Sequence, residues 1–138
     1  MTGAYFSVPT LCAMALVHLY WAAGGRRGKR AATPEQDGKP LIRPTAVGTF
    51  AVAAALLGGA CMVATRAGWF GPGAYHRAIS FAVVALALIF AVRAVGDFRY
   101  VGFFKRIRGS RFARMDTLYY SPLCAALALS IASMFWPR

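Results

Sequence analysis

The sequence predicts an all-α integral membrane bundle of four transmembrane helices, and three observations carry that expectation. Of the 138 residues, 59% are hydrophobic and the mean hydropathy is +0.53, whereas soluble domains hold about 45–50% apolar residues. The apolar residues gather into four runs of about 20 residues, the length that crosses a hydrocarbon core of about 30 Å at a rise of about 1.5 Å per residue. The charge is displaced into the connections, with 16 Lys and Arg against four Asp and Glu, a formal +12. In a soluble chain a pI of about 10.7 would suggest nucleic acid. Cations confined to loops between apolar runs are explained by orientation in a bilayer instead, so no nucleic-acid partner is expected. Residues 1–138 form a single membrane domain.

The first helix is expected at about 6–25, an uncharged run preceded by MTGAY, which has no basic residue. It is longer than the apolar region of a signal peptide and is read as a retained span. Residues 26–44 follow as a loop, because RRGKR, Gly38 and the prolines Pro34, Pro40 and Pro44 oppose any regular element. The second helix, about 45–65, carries the small residues Ala51, Ala55 and Gly59 at helical spacing, a stripe suited to close packing in lipid. A short turn with Trp69, Phe70 and Gly71-Pro72-Gly73 should join it to the third helix, about 76–97, whose Ala78, Ala82, Ala87 and Ala91 form a similar stripe.

A second basic loop, 98–116, precedes the fourth helix, about 117–136. Its start is open to two readings: Asp116 as N-cap with a kink at Pro122, or Ser121 as N-cap with Pro122 in the first helical position. Within the loop, Tyr100, Val101, Phe104 and Ile107 would share one face of an interfacial helix over Phe98–Ile107. Lys105, Arg106, Arg108, Arg111 and Arg114 would then contact anionic lipid. Cys12, Cys61 and Cys124 lie singly in three apolar runs, a pattern that suits packing and neither zinc nor redox chemistry.

Four spans put both basic loops on one side, and short loops rich in Lys and Arg stay cytoplasmic. Both termini are therefore expected outside. This topology carries His18 and Trp21, at i and i+3, to the cytoplasmic end beside Arg93, Asp97, Arg99, Asp116 and Tyr119. An ionised side chain in a membrane helix costs about 2.5–3.5 kcal/mol at the centre and normally pairs. On one reading Arg93 and Asp97, at i and i+4, pair along the helix, Asp116 caps and His18 bridges helices. On the other, Arg93 and Arg99 hold a phosphate or carboxylate head group, with His18 and an Asp as proton donor and acceptor. No nucleophile motif, metal-ligand pair or Gly-rich phosphate loop accompanies these residues, so neither a metal nor a cofactor is expected. His76 falls on the opposite side, away from His18.

The segments HLYWAAGG (18–25), RAVGDFRYVGFFKR (93–106) and RFARMDTLYYSPLC (111–124) together resemble a bacterial family described as domain of unknown function 3995. The positions that fit its pattern are His18, Tyr20, Trp21, Arg93, Gly96, Asp97, Arg99, Phe112, Asp116, Ser121 and Pro122. The resemblance spans the chain and implies four membrane helices in a bacterial plasma membrane. It implies no activity. The first loop departs from the family, because RRGKR follows Gly24-Gly25 where members often continue with Trp.

The function expected is that of an uncharacterised multi-pass membrane protein binding a lipid head group or a partner at the polar cytoplasmic end. An alternative is a small enzyme acting on an amphipathic substrate through His/Asp chemistry. A small ion-coupled exporter would need a carboxylate near the bilayer midplane. The small-residue faces also permit a homodimer.

Overall fold

The computed structural model describes residues 2–71 and 76–136. It is almost entirely helical, and four of its helices are long and apolar enough to cross a membrane. The first three are α1 (Thr2–Ala22), α3 (Ala46–Arg66) and α4 (His76–Val95). The fourth is composite: α5 (Arg111–Met115), a π turn (Asp116–Tyr120), α6 (Ser121–Ala132) and a 3-10 turn (Ser133–Phe135) follow without a break. The side chain of His76 and the turn residues Pro72 and Gly73 lie outside the described residues.

Each span ends for a local reason. Beyond α1 the amide of Gly25 reaches the Tyr20 carbonyl at 2.9 Å and that of Gly24 the Trp21 carbonyl at 3.2 Å. Gly24, at φ 97°, supplies the left-handed residue that this paired-bond termination requires. The helix therefore stops three residues before Gly25, the expected end. α3 starts at Thr45, whose side chain accepts the Gly48 amide at 3.1 Å.

The fourth span begins six residues earlier than expected, and neither Asp116 nor Ser121 is its cap. Ser110 is, accepting the Ala113 amide at 3.0 Å. Pro122 is accommodated by the π turn: the Ser121 amide bonds back to the Asp116 carbonyl, five residues away. A proline lacks the amide and crowds the carbonyl four residues before it, and the wider turn absorbs both defects.

In the bundle α1 packs mainly on α3, and α4 on α6. Leu11, Ala15, Val63, Val83, Leu127 and Ile131 are wholly inaccessible. The stripe expected on the second helix is rotated: Ala51 and Ala55 are exposed, while Ala53, Leu56, Gly59 and Ala60 are buried. On α4, Ala87 is buried but Ala78 is exposed. Gly59 faces Leu86, and Gly3 lies so close to the Ser130 carbonyl that a side chain there would collide with it. Ser130 donates to the Gly3 carbonyl at 2.9 Å and Ser7 to Ser130 at 3.1 Å. Of the cysteines, Cys124 is buried and Cys12 half-buried, but Cys61 is exposed and lies outside the core.

The ends of the bundle differ. At one, Tyr5 meets Trp69 with ring centroids 5.4 Å apart, and the Arg66 guanidinium lies 4.9 Å from the Phe135 ring. At the other, both long loops fold into a cap. The first loop, expected to be irregular, holds one helical turn, α2 (Lys29–Ala32), and a hairpin of β1 (Glu35–Gln36) and β2 (Lys39–Pro40). Its turn is Asp37-Gly38, with φ of 52° and 74°, the conformation that a tight hairpin demands.

Candidate functional site at the capped end

The loop from Gly96 to Ser110 is not the expected interfacial helix. Gly96, Phe98 and Gly102 all have positive φ, of 92°, 61° and 89°, which breaks any helical run. The Gly96 and Gly102 backbones touch, so a Cβ on either would collide with the other strand of the loop. One carboxylate oxygen of Asp97 accepts the amides of Arg99, Tyr100 and Val101 at 2.9, 2.7 and 2.9 Å. Slight burial pushes the Asp97 carboxyl upward. The amides of Val101, Arg99 and Tyr100 outweigh it and leave the group below its ordinary value.

Asp116 is fully buried at the centre of an ionic staple. Its Oδ1 accepts from Arg93 Nη2 at 2.9 Å, and its Oδ2 from Lys105 Nζ at 3.0 Å and the Gly102 amide at 2.8 Å. Arg93 therefore pairs across to the fourth span, and not with Asp97 along its own helix. The reason is Gly96, which ends α4 before Asp97 and sends that carboxylate into the loop. Lys105, only 1% exposed, spends its ammonium on Asp116, on the Gly102 carbonyl at 2.9 Å and on Thr117 Oγ1 at 2.6 Å. It therefore cannot join the expected lipid-contacting set. Arg106, Arg108, Arg111 and Arg114 remain exposed, and Arg108 also donates to the Lys105 carbonyl at 3.2 Å. Two cations on one carboxylate leave the staple with a net positive charge, and Arg93 Nη1 is buried without a partner among the described residues.

The two loops clasp each other. Tyr100 donates to Gln36 Oε1 at 2.8 Å, and the Arg111 amide to Glu35 Oε1 at 3.2 Å. Arg99 lies against the Tyr100 ring, 5.2 Å from its centroid. Tyr119 is 59% exposed.

His18 and Trp21 stand together but apart from the staple. Their rings meet edge to face at 5.2 Å, and Trp21 Nε1 donates to the Arg27 carbonyl at 2.8 Å. His18 Nδ1 lies 2.8 Å from the Met14 carbonyl. A carbonyl only accepts, so Nδ1 carries the proton and Nε2 is left for another partner. Both side chains line an open groove of about 190 Å³ between α1, α2 and α3, with Lys29, Thr33, Thr45, Thr49 and Val52. Among the described residues no hydrogen bond or ion pair joins His18 to Asp97 or Asp116, and no group of three His, Cys, Asp or Glu is placed to hold a metal ion.

The expected constellation thus divides into an ionic staple around Asp116 and a separate groove beside His18 and Trp21. Sequence reasoning set Lys105 among the lipid contacts and missed its place in the staple, and it missed Glu35, Gln36 and the groove threonines altogether. Asp37-Gly38 was the available signal for the hairpin; nothing in spacing separates Lys105 from the exposed cations around it.

A family model for proteins of unknown function, DUF3995, matches residues 11–131. The chain belongs to that family. The matched span of DUF3995 takes in the staple, the clasp and the groove alike. No curated protein and no solved structure matches the chain, so membership in DUF3995 brings no activity with it.

Proposed function

We propose that this protein is a multi-pass protein of a bacterial plasma membrane that binds the polar head of an amphipathic molecule in the groove between α1, α2 and α3. One observation carries the reading. The groove straddles the level at which spanning helices give way to polar loops. Its wall along α3 runs from the cap Thr45 to Val52, a rise of about 10 Å, and His18 stands one turn before the end of α1. Lys29 and the Thr45 hydroxyl offer donors to a phosphate, the free Nε2 of His18 accepts from a hydroxyl-bearing head, and Trp21 offers a flat apolar wall, while the Thr33 and Thr49 hydroxyls already donate to the Lys29 and Thr45 carbonyls. A volume of about 190 Å³ holds a head group and is smaller than the usual pocket of about 300–1,000 Å³ for a drug-sized ligand. The acid–base alternative lacks support, because the carboxylates it needs are engaged elsewhere, Asp97 by amides and Asp116 by two cations.

The capped end is assigned to the cytoplasm, since both of its loops are basic, the first with Arg26, Arg27, Lys29, Arg30, Lys39 and Arg43 and the second with the Arg99–Arg114 cluster. Mass spectrometry of protein released intact from mild detergent tests the groove. Wild-type protein should retain an amphiphile that His18→Leu/Lys29→Ala loses while keeping its fold; identical adducts on both overturn the reading.

A further inference from the structure

The loop after α4 doubles back to the level of the helix it leaves. The Phe103 amide donates to the Ala94 carbonyl at 2.9 Å and the Phe104 amide to the Val95 carbonyl at 3.4 Å, so both residues stand beside the last turn of a candidate span. Their side chains are not drawn into the cap. Phe98, Phe103 and Phe104 are 58%, 40% and 61% exposed, and the rings of Phe98 and Phe104 lie 6.3 Å apart. Phe98 also holds φ at 61°, a conformation that bulky residues rarely adopt. Below them the exposed Leu88, Val92 and Val95 of α4 continue the apolar surface. Around them Arg99, Arg106 and Arg108 are exposed.

We infer that Phe98, Phe103 and Phe104 form an aromatic foot that enters the interfacial layer of the same bilayer, with Arg99 and Arg106 meeting the phosphates of anionic lipids. Aromatic rings favour that depth, and cations beside a membrane span attract anionic lipid. The charge complements the lipid, and the apolar surface is continuous with the face of α4 that the bilayer already covers. The inference rests on the membrane reading of α4 and is independent of the groove.

The test uses the full chain in lipid nanodiscs of phosphatidylcholine and phosphatidylglycerol, some carrying brominated acyl chains that quench tryptophan. Phe104→Trp, read as the difference from wild type, should give blue-shifted emission quenched by more than half. Phe103→Trp repeats the measurement on an independent variant. Phe81→Trp, on the outward face of α4, should be quenched as well, and Asp37→Trp, at the hairpin turn, should not. Quenching at position 81 without quenching at 103 or 104 overturns the foot while leaving the spans intact. Absence of quenching at 81 overturns the membrane reading itself. Preference for phosphatidylglycerol among retained lipids should fall roughly fivefold for each of Arg99→Gln and Arg106→Gln; an unchanged preference refutes the anionic-lipid contact.

Discussion

Asp116 shows how unevenly a charge cluster can be distributed over its members. Removing the carboxylate leaves two cations facing each other, one of them almost fully buried. Breaking a buried pair in this way costs about 3–5 kcal/mol. Asp116→Ala is therefore expected to lower the melting temperature in detergent most, Lys105→Ala next, and Arg93→Ala least, because the Arg93 side chain is 34% exposed and partly solvated. A larger loss for Arg93→Ala than for Lys105→Ala would contradict the staple as described. Glycines give a steric counterpart. Gly102→Ala should destabilise strongly, because its Cβ would meet the Gly96 backbone, whereas Gly109→Ala meets nothing within 4 Å and should be near neutral.

Asp97 adds a pH dependence whose sign is fixed. Its folded-state pKa lies below the ordinary value, so the unfolded chain binds more protons in that window. The stability it contributes is complete above about pH 4, the ordinary carboxylate range, and is lost as pH falls through the depressed folded value. Melting temperatures of wild type should decline more steeply with acidification than those of Asp97→Asn, whose amide oxygen still accepts from the loop but does not titrate. Parallel declines would remove Asp97 as the cause.

At the level of elements, the clasp makes the hairpin and the second loop one folding unit. The Tyr100–Gln36 bond is partly buried, and such bonds contribute about 0.5–1.5 kcal/mol net. Tyr100→Phe and Gln36→Ala should each raise hydrogen exchange in Glu35–Pro40 and in Arg99–Val101. The double variant should add little beyond either single change, since both remove the same bond; full additivity would show that the clasp is not shared. Helix termini were partly legible beforehand. Gly24-Gly25 and Gly96 stand where helices commonly stop, and reading them as terminators would have ended α1 and α4 correctly. The start of the fourth span was hidden because Asp116, Ser121 and Pro122 all look like entry signals. The true cap, Ser110, lies in a basic stretch whose helicity depends on Phe112 and Ala113 being buried in the cap.

Over the whole molecule, the number of spans was readable because bilayer thickness dictates run length, but their pairing was not: α1 packs mainly on α3 and α4 on α6, partners joined by the two long loops and not by the short turn. Which cation would be buried was not, since that depends on how a glycine-rich loop refolds in three dimensions. The proposed orientation has its own check. An impermeant thiol reagent applied from outside should label Thr2→Cys and spare Arg43→Cys; the reverse pattern would invert the assignment.

The staple also bears on how the chain is made. Arg93 precedes its carboxylate by 23 residues, so a growing polypeptide presents the guanidinium to the insertion machinery before its counter-ion exists. The third and fourth spans are consequently expected to settle as a pair. A chain ending before Asp116 would carry an unneutralised arginine at the foot of its last span, and its expected fate is retention at the translocation site or proteolysis, with no stable three-span product.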